Sequence, residues 1–99
     1  MFVARLGDTV IAKSENCLII ENNVYFPEND VKTEYLFQTE TLTRCPWKGT
    51  ATYFDIKTTE TLVKDGAWSY LRPKSKARRV RGHIAFWKEV VVKELQANQ

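Results

Sequence analysis

Apolar and polar residues alternate along this chain in short runs, broken by turn-forming residues every five to ten positions. That period of two is the signature of half-buried strands. Strands are predicted over 2–5, 9–13, 17–21 and 24–26, with turns at Gly7-Asp8, Ser14-Glu15-Asn16 and Asn22-Asn23. Asparagine tolerates the left-handed backbone that tight hairpins need. The run Leu18-Ile19-Ile20 is apolar throughout, which predicts a central strand. Pro27 and the acidic residues after it suit a single helical turn. Residues 31–37 fit either a short helix or a strand face formed by Val31, Thr33, Tyr35 and Phe37, and the strand is favoured. Gln38-Thr39-Glu40 reads as a loop.

The second half continues in the same way. Strands are predicted over 41–45, 50–57, 61–64, 67–70 and 83–87, separated by Lys48-Gly49, Thr58-Thr59-Glu60 and Asp65-Gly66. Val90-Val91-Val92 extends the strand before it or begins another, and the tail from Lys93 to Gln99 reads as a frayed helix. Eight to ten short strands with one or two helical turns make an all-β, antiparallel fold, either a barrel or a twisted sandwich.

Length adds that the 99 residues make one domain, 1–99. Neither a Rossmann domain nor a P-loop enzyme fits in this length with four glycines. No apolar run has transmembrane length and no signal-peptide core is present, so the expected setting is the cytoplasm, without a membrane partner. Two cysteines, Cys17 and Cys45, and one histidine, His83, cannot build a structural zinc site, and no metal or cofactor is expected.

Charge changes the picture locally. Arg72, Lys74, Lys76, Arg78, Arg79 and Arg81 follow one another with no acid between them. The rest of the chain carries nine basic against twelve acidic residues, a net of −3. A mildly acidic domain thus carries one basic loop, able to meet nucleic acid or an acidic protein surface. A solvated turn is the plainer reading, because Pro73 and Ser75 interrupt the stretch and no aromatic is interleaved.

Two segments concentrate polar, aromatic and small residues: Thr43 to Tyr53, and Ala67-Trp68-Ser69-Tyr70. Cys45 lies between Arg44 and Lys48, cations that favour a thiolate; it also reads as a small buried hydrophobe beside Pro46. Lys48 beside Gly49 can hold an anion as a point charge, or simply flank a turn. Trp47, Tyr53, Trp68 and Tyr70 can wall a pocket for a ring-shaped or cationic ligand, or fill a core. Asp30, Asp55 and Asp65 are the carboxylates expected at its mouth. Ser14, Ser69 and Ser75 have no nucleophile-elbow context.

The ordered set Tyr25-Phe26-Pro27, Asp30-Val31, Thr43, Cys45-Pro46, Lys48-Gly49, Ala51, Tyr53, Ala67-Trp68-Ser69-Tyr70, Pro73, Gly82 and Ala85-Phe86 resembles the bacterial family called domain of unknown function 427. The resemblance runs from about Val10 to Val92. It implies a small, strongly bent antiparallel sheet of the β-tent kind, with an aromatic pocket on its open side. Many β-tent relatives carry zinc on two Cys-x-x-Cys pairs, which this chain lacks. Trp47 stands where Tyr is common and Arg44 where His is common, which removes one partner for Cys-His chemistry. The family also carries a nucleotidyltransferase label, but no Gly-Ser pair followed by Asp-x-Asp is present here.

The expected function is binding of a small ligand in a pocket lined by Cys45, Lys48, Tyr53, Trp68 and Tyr70. The alternatives are an enzyme with Cys45 as nucleophile or redox centre, tuned by Lys48 or His83, and a nucleic-acid or acidic-protein binder working through Arg72–Arg81. A monomer or a homodimer is expected, the latter through exposed edge strands.

Overall fold

The computed structural model describes residues 1–96. Among them are nine strands: β1 (Phe2–Leu6), β2 (Thr9–Ser14), β3 (Leu18–Ile20), β4 (Asn23–Pro27), β5 (Leu36–Cys45), β6 (Gly49–Lys57), β7 (Leu62–Ser69), β8 (His83–Phe86) and β9 (Val91–Glu94). Helical geometry is limited to 3-10 segments at Glu28–Asp30, Thr33–Tyr35 and Ser75–Val80. No helix among the described residues is long and apolar enough to cross a membrane.

The strands form two antiparallel sheets, ordered β2-β1-β9 and β3-β4-β8-β7-β6-β5. The fold is all-β as expected, but neither sheet closes into a barrel. Closure of the larger sheet would require β3 to pair with β5, and β3 offers only three residues. Register shifts at Ala4/Arg5, Gln38/Leu42 and Phe54/Ile56 mark bulges, which bend and twist the sheets.

Strand alternation divides the core in two. Phe26, Ile84, Phe86 and Ala67 leave one face of the six-stranded sheet and pack with Ala4, Leu6, Ile11 and Ala12 of the smaller sheet. Phe26 and Phe86 meet edge to face at 5.6 Å. The residues between them, Tyr25, Ala85 and Trp68, leave the opposite face and form a second cluster. The covering element there is the 3-10 segment Ser75–Val80, which buries Ala77 and Val80. The basic stretch is thus anchored by its two apolar residues.

Several sequence expectations are corrected. β3 is an edge strand, because Leu18 and Ile20 pack inward while Ile19 is 59% exposed. The hairpin turn is Glu21-Asn22, with φ of 53° and 66°, since Ile20 pairs with Asn23. Residues 31–37 are not one continuous strand. Val31 makes one bridge to Ala12, a 3-10 turn follows, and β5 begins at Leu36. Consecutive residues Tyr35 and Leu36 both pack on the main core, which one strand face does not allow.

Residues 38–40 are not a loop but part of β5, and Asp65-Gly66 is not a turn but part of β7. The two exceptions support each other. The Asp65 carboxylate accepts hydrogen bonds from the Thr39 and Thr41 hydroxyls, both at 2.7 Å, and its N–H donates to Asp55 at 2.8 Å. At the chain's end, Val91 and Val92 lie in a strand as expected, and that strand, paired with β1, runs on through Lys93 and Glu94, where a helix was expected to begin. Leu95 and Gln96 are not helical either, and the last part of the expected helix, 97–99, lies outside the described residues.

Candidate functional site

The second face of the larger sheet is built on one cross-strand row. Leu18 pairs with Tyr25, Tyr25 with Ala85, Ala85 with Trp68 and Trp68 with Tyr53. Ala85 is the small member between two large rings. Its missing bulk lets Trp68 Nε1 donate to the Tyr25 hydroxyl at 3.3 Å, the rings meeting edge to face at 6.2 Å. Alternation places Tyr70, two residues beyond Trp68, on the same side. Trp87, two beyond Ala85, joins them just past the end of β8 and meets Trp68 edge to face at 5.8 Å.

These rings border a hollow of about 290 Å³, closed by Asn23 and Lys48. The polar ring atoms of Tyr25, Trp68, Tyr53 and Trp87 are partnered. The Tyr53 hydroxyl lies 3.0 Å from Thr43 Oγ1, and Trp87 Nε1 donates to the Asp65 carbonyl at 2.6 Å. Tyr53 itself stands 6.4 Å from both Trp68 and Trp87.

Lys48 is the charged element. It comes from the turn between β5 and β6, is only 5% exposed, and holds its Nζ 5.5 Å from the ring centres of both Trp47 and Tyr70. It forms an ion pair with Glu21, which also accepts from Trp47 Nε1 at 3.4 Å. Burial pushes the Lys48 pKa down, but the Glu21 hydrogen bond, together with the Tyr25, Tyr70 and Glu21 charge interactions, outweighs it; the ammonium titrates above the usual lysine range. The hydrogen bonds from Lys48 and Trp47 hold the Glu21 carboxyl below its usual value. Burial raises the Tyr70 phenol, against a lowering influence from Lys48. At neutral pH the hollow therefore offers aromatic faces, neutral hydroxyls and one ammonium whose counter-ion is solvent-exposed.

A family model described as a domain of unknown function (DUF427) matches residues 1–97. The chain belongs to that family. The match takes in β1 and β9, which pair with each other and complete the smaller sheet of this DUF427 domain. No curated protein matches the chain.

Of the residues singled out from sequence, Lys48, Tyr53, Trp68 and Tyr70 come together at the hollow. Cys45 does not line it. It ends β5 opposite Gly49, half-buried against the same aromatic cluster. His83 is on β8, separated from β5 by β7 and β6. Three interstrand steps amount to about 14 Å. Its Nδ1 instead lies 3.0 Å from the Arg81 carbonyl.

The carboxylates expected at the mouth are elsewhere. Asp30 accepts from the Ser14 hydroxyl at 2.6 Å, while Asp55 and Asp65 stabilise the β5–β7 bulges. Hydroxyl and backbone donors on neighbouring strands claim these short acids through tertiary contacts. Glu21, Asn23, Tyr25 and Trp87 were not anticipated. Tyr25 carried a usable signal, because Val24-Tyr25-Phe26 alternates and only one of its two rings can share the Phe26 face. Among the described residues, no three of His, Cys, Asp and Glu are arranged to hold a metal ion.

Proposed function

We propose that this DUF427 domain binds a small planar ligand in the hollow, its ring against Trp68, Tyr53 and Trp87 and an anionic or carbonyl edge on Lys48. The observation that carries this reading is the burial of a protonated lysine among aromatic rings at the border of an unfilled space. A buried charge is costly unless it is paired and hydrogen-bonded, and Lys48 is paired with the Glu21 carboxylate. Its Glu21 partner is 52% exposed at the side chain, so a ligand anion can replace it without leaving a carboxylate buried. A volume of about 290 Å³ lies at the lower end of small-molecule sites, about 300 Å³, and suits a single ring system. The position of Cys45 off the hollow, away from His83, makes binding a better-supported reading than thiol catalysis.

Thermal unfolding against nucleobases, aromatic carboxylates and aromatic amino acids tests it. A ligand at about 100 times its Kd adds about 2.7 kcal/mol, roughly 10–20 °C for a domain of this size. The shift is expected to vanish in Lys48→Met and in Trp87→Ala. A silent panel, or a shift that both variants keep, overturns the reading.

A further inference from the structure

Thr50 and Thr52 alternate with Ala51 and Tyr53 along β6, so they face away from the aromatic hollow. A second, broader groove of about 630 Å³ opens beside them. It is lined by Arg44 of β5, by the two threonines and Gly49, and by Leu71, Arg72 and Lys74 from the segment that follows β7. It contains three cations and no carboxylate.

The arrangement is held by backbone. The Lys74 N–H donates to the Lys48 carbonyl at 2.9 Å, and its Nζ to the Pro46 carbonyl at 2.7 Å. Gly49, at φ 113°, lets the strand start pass close to residues 72–74. Arg44 and Arg72 are exposed, and neither is in an ion pair among the described residues. Lys76, Arg78, Arg79 and Arg81 continue the same exposed, acid-free stretch along the covering 3-10 segment.

We propose that this groove binds the sugar–phosphate backbone of single-stranded nucleic acid, at a site separate from the hollow. Arginine's planar fork matches phosphate oxygens, and the Thr50 and Thr52 hydroxyls add neutral donors. Leu71, 49% exposed, offers an apolar surface to a sugar or base. A concave site takes a strand in, whereas reading a duplex groove requires a protruding element. Sequence alone did not join Arg44 to the basic stretch; the β5–β6 pairing sets Arg44 opposite Thr50, and the Lys74 N–H bond to the Lys48 carbonyl brings residues 72–74 beside them.

Fluorescence anisotropy with labelled oligo-dT and oligo-U of about 12 nucleotides, within the ~4–16 nucleotide range of single-strand sites, tests the proposal. Three phosphate contacts give a slope of log K against log salt of about −2, so affinity falls about 20-fold between ~50 and ~200 mM salt. The double variant Arg44→Gln/Arg72→Gln leaves one contact, and the same salt step then costs only about threefold. Arg72→Gln alone falls between the two. Lys13→Gln/Lys93→Gln, exposed charges on the smaller sheet, leaves the slope unchanged; unfolding midpoints check that each variant is folded. Absence of binding at low salt, a slope indifferent to Arg44 and Arg72, or equal affinity for polyglutamate overturns the proposal.

Discussion

The two faces of the six-stranded sheet are made by the same strands and differ in everything else. On one, Phe26, Ile84, Phe86 and Ala67 meet a second sheet and exclude water. On the other, Tyr25, Ala85 and Trp68 meet a six-residue 3-10 segment that covers only part of the row. The first face supplies stability through close packing and apolar burial. The second keeps a hollow, a buried ammonium and hydroxyl-bearing rings, none of which maximises stability. One face sets the fold, and the fold lets the other remain incomplete.

The largest expected effect lies on the packed face. Phe26→Ala removes a fully buried ring in contact with Phe86 and is expected to cost about 3–5 kcal/mol, lowering Tm by at least roughly 12 °C. Thermal unfolding followed by circular dichroism measures it. A loss below about 1 kcal/mol would dissolve the distinction between the faces.

Gly66→Ala comes next. An added Cβ would lie 2.7 Å from Val63 Cγ1 and 3.0 Å from Ile56 Cδ1, both buried in the main core. Overpacking of this kind costs about 1–3 kcal/mol, read as a lower urea midpoint with unchanged m-value.

Lys48→Met sharpens the contrast. It replaces a buried charge by an apolar chain of similar length and leaves Glu21 in solvent. Stability is expected to stay within about 1 kcal/mol of the wild type while ligand binding in the hollow is lost. A severe destabilisation instead would make Lys48 structural and place the second face with the first.

The smallest effect is the response to alkali. Burial raises the Cys17 thiol above 9.0 and the Tyr70 phenol above 10.0; at Lys48 burial lowers the pKa, but the Glu21 hydrogen bond and the Tyr25, Tyr70 and Glu21 charge interactions together raise it above 10.5. Each group binds its proton more tightly in the folded chain. Their contributions are complete below those ordinary values and fade as pH rises through the raised ones. Tm should therefore be level through neutral pH and decline from about pH 9 upward. In Tyr70→Phe the part of the decline above about pH 10 should shrink, with the Cys17 part retained.

Much of the fold was legible from the period-two pattern. Strands β1, β2, β4 and β6 fall where the alternation and the turn residues put them. The errors share a cause. Residues 38–40 and Asp65-Gly66 have the composition of turns, yet they lie inside β5 and β7, because Thr39, Thr41 and Asp65 satisfy one another across strands. Local propensity cannot register a bond between residues 26 positions apart. The same limit applied to the site. Four of its members lie in the two compositionally unusual segments, whereas Glu21 and Trp87 reach it only through the β3–β4 turn and the end of β8.

The sequence by itself determined the class of fold, the family resemblance and the residue types available for binding. Those follow from alternation, length and composition, which are properties of neighbours along the chain. Only the tertiary structure decided that Tyr25, Ala85, Trp68 and Tyr53 stand in one row, that Lys48 is buried against Glu21, and that Arg44 joins Arg72 and Lys74. Those facts depend on register and strand order across the sheet. A register shift of a single residue would turn Tyr25, Ala85, Trp68, Tyr53 and Arg44 to the other face of their strands.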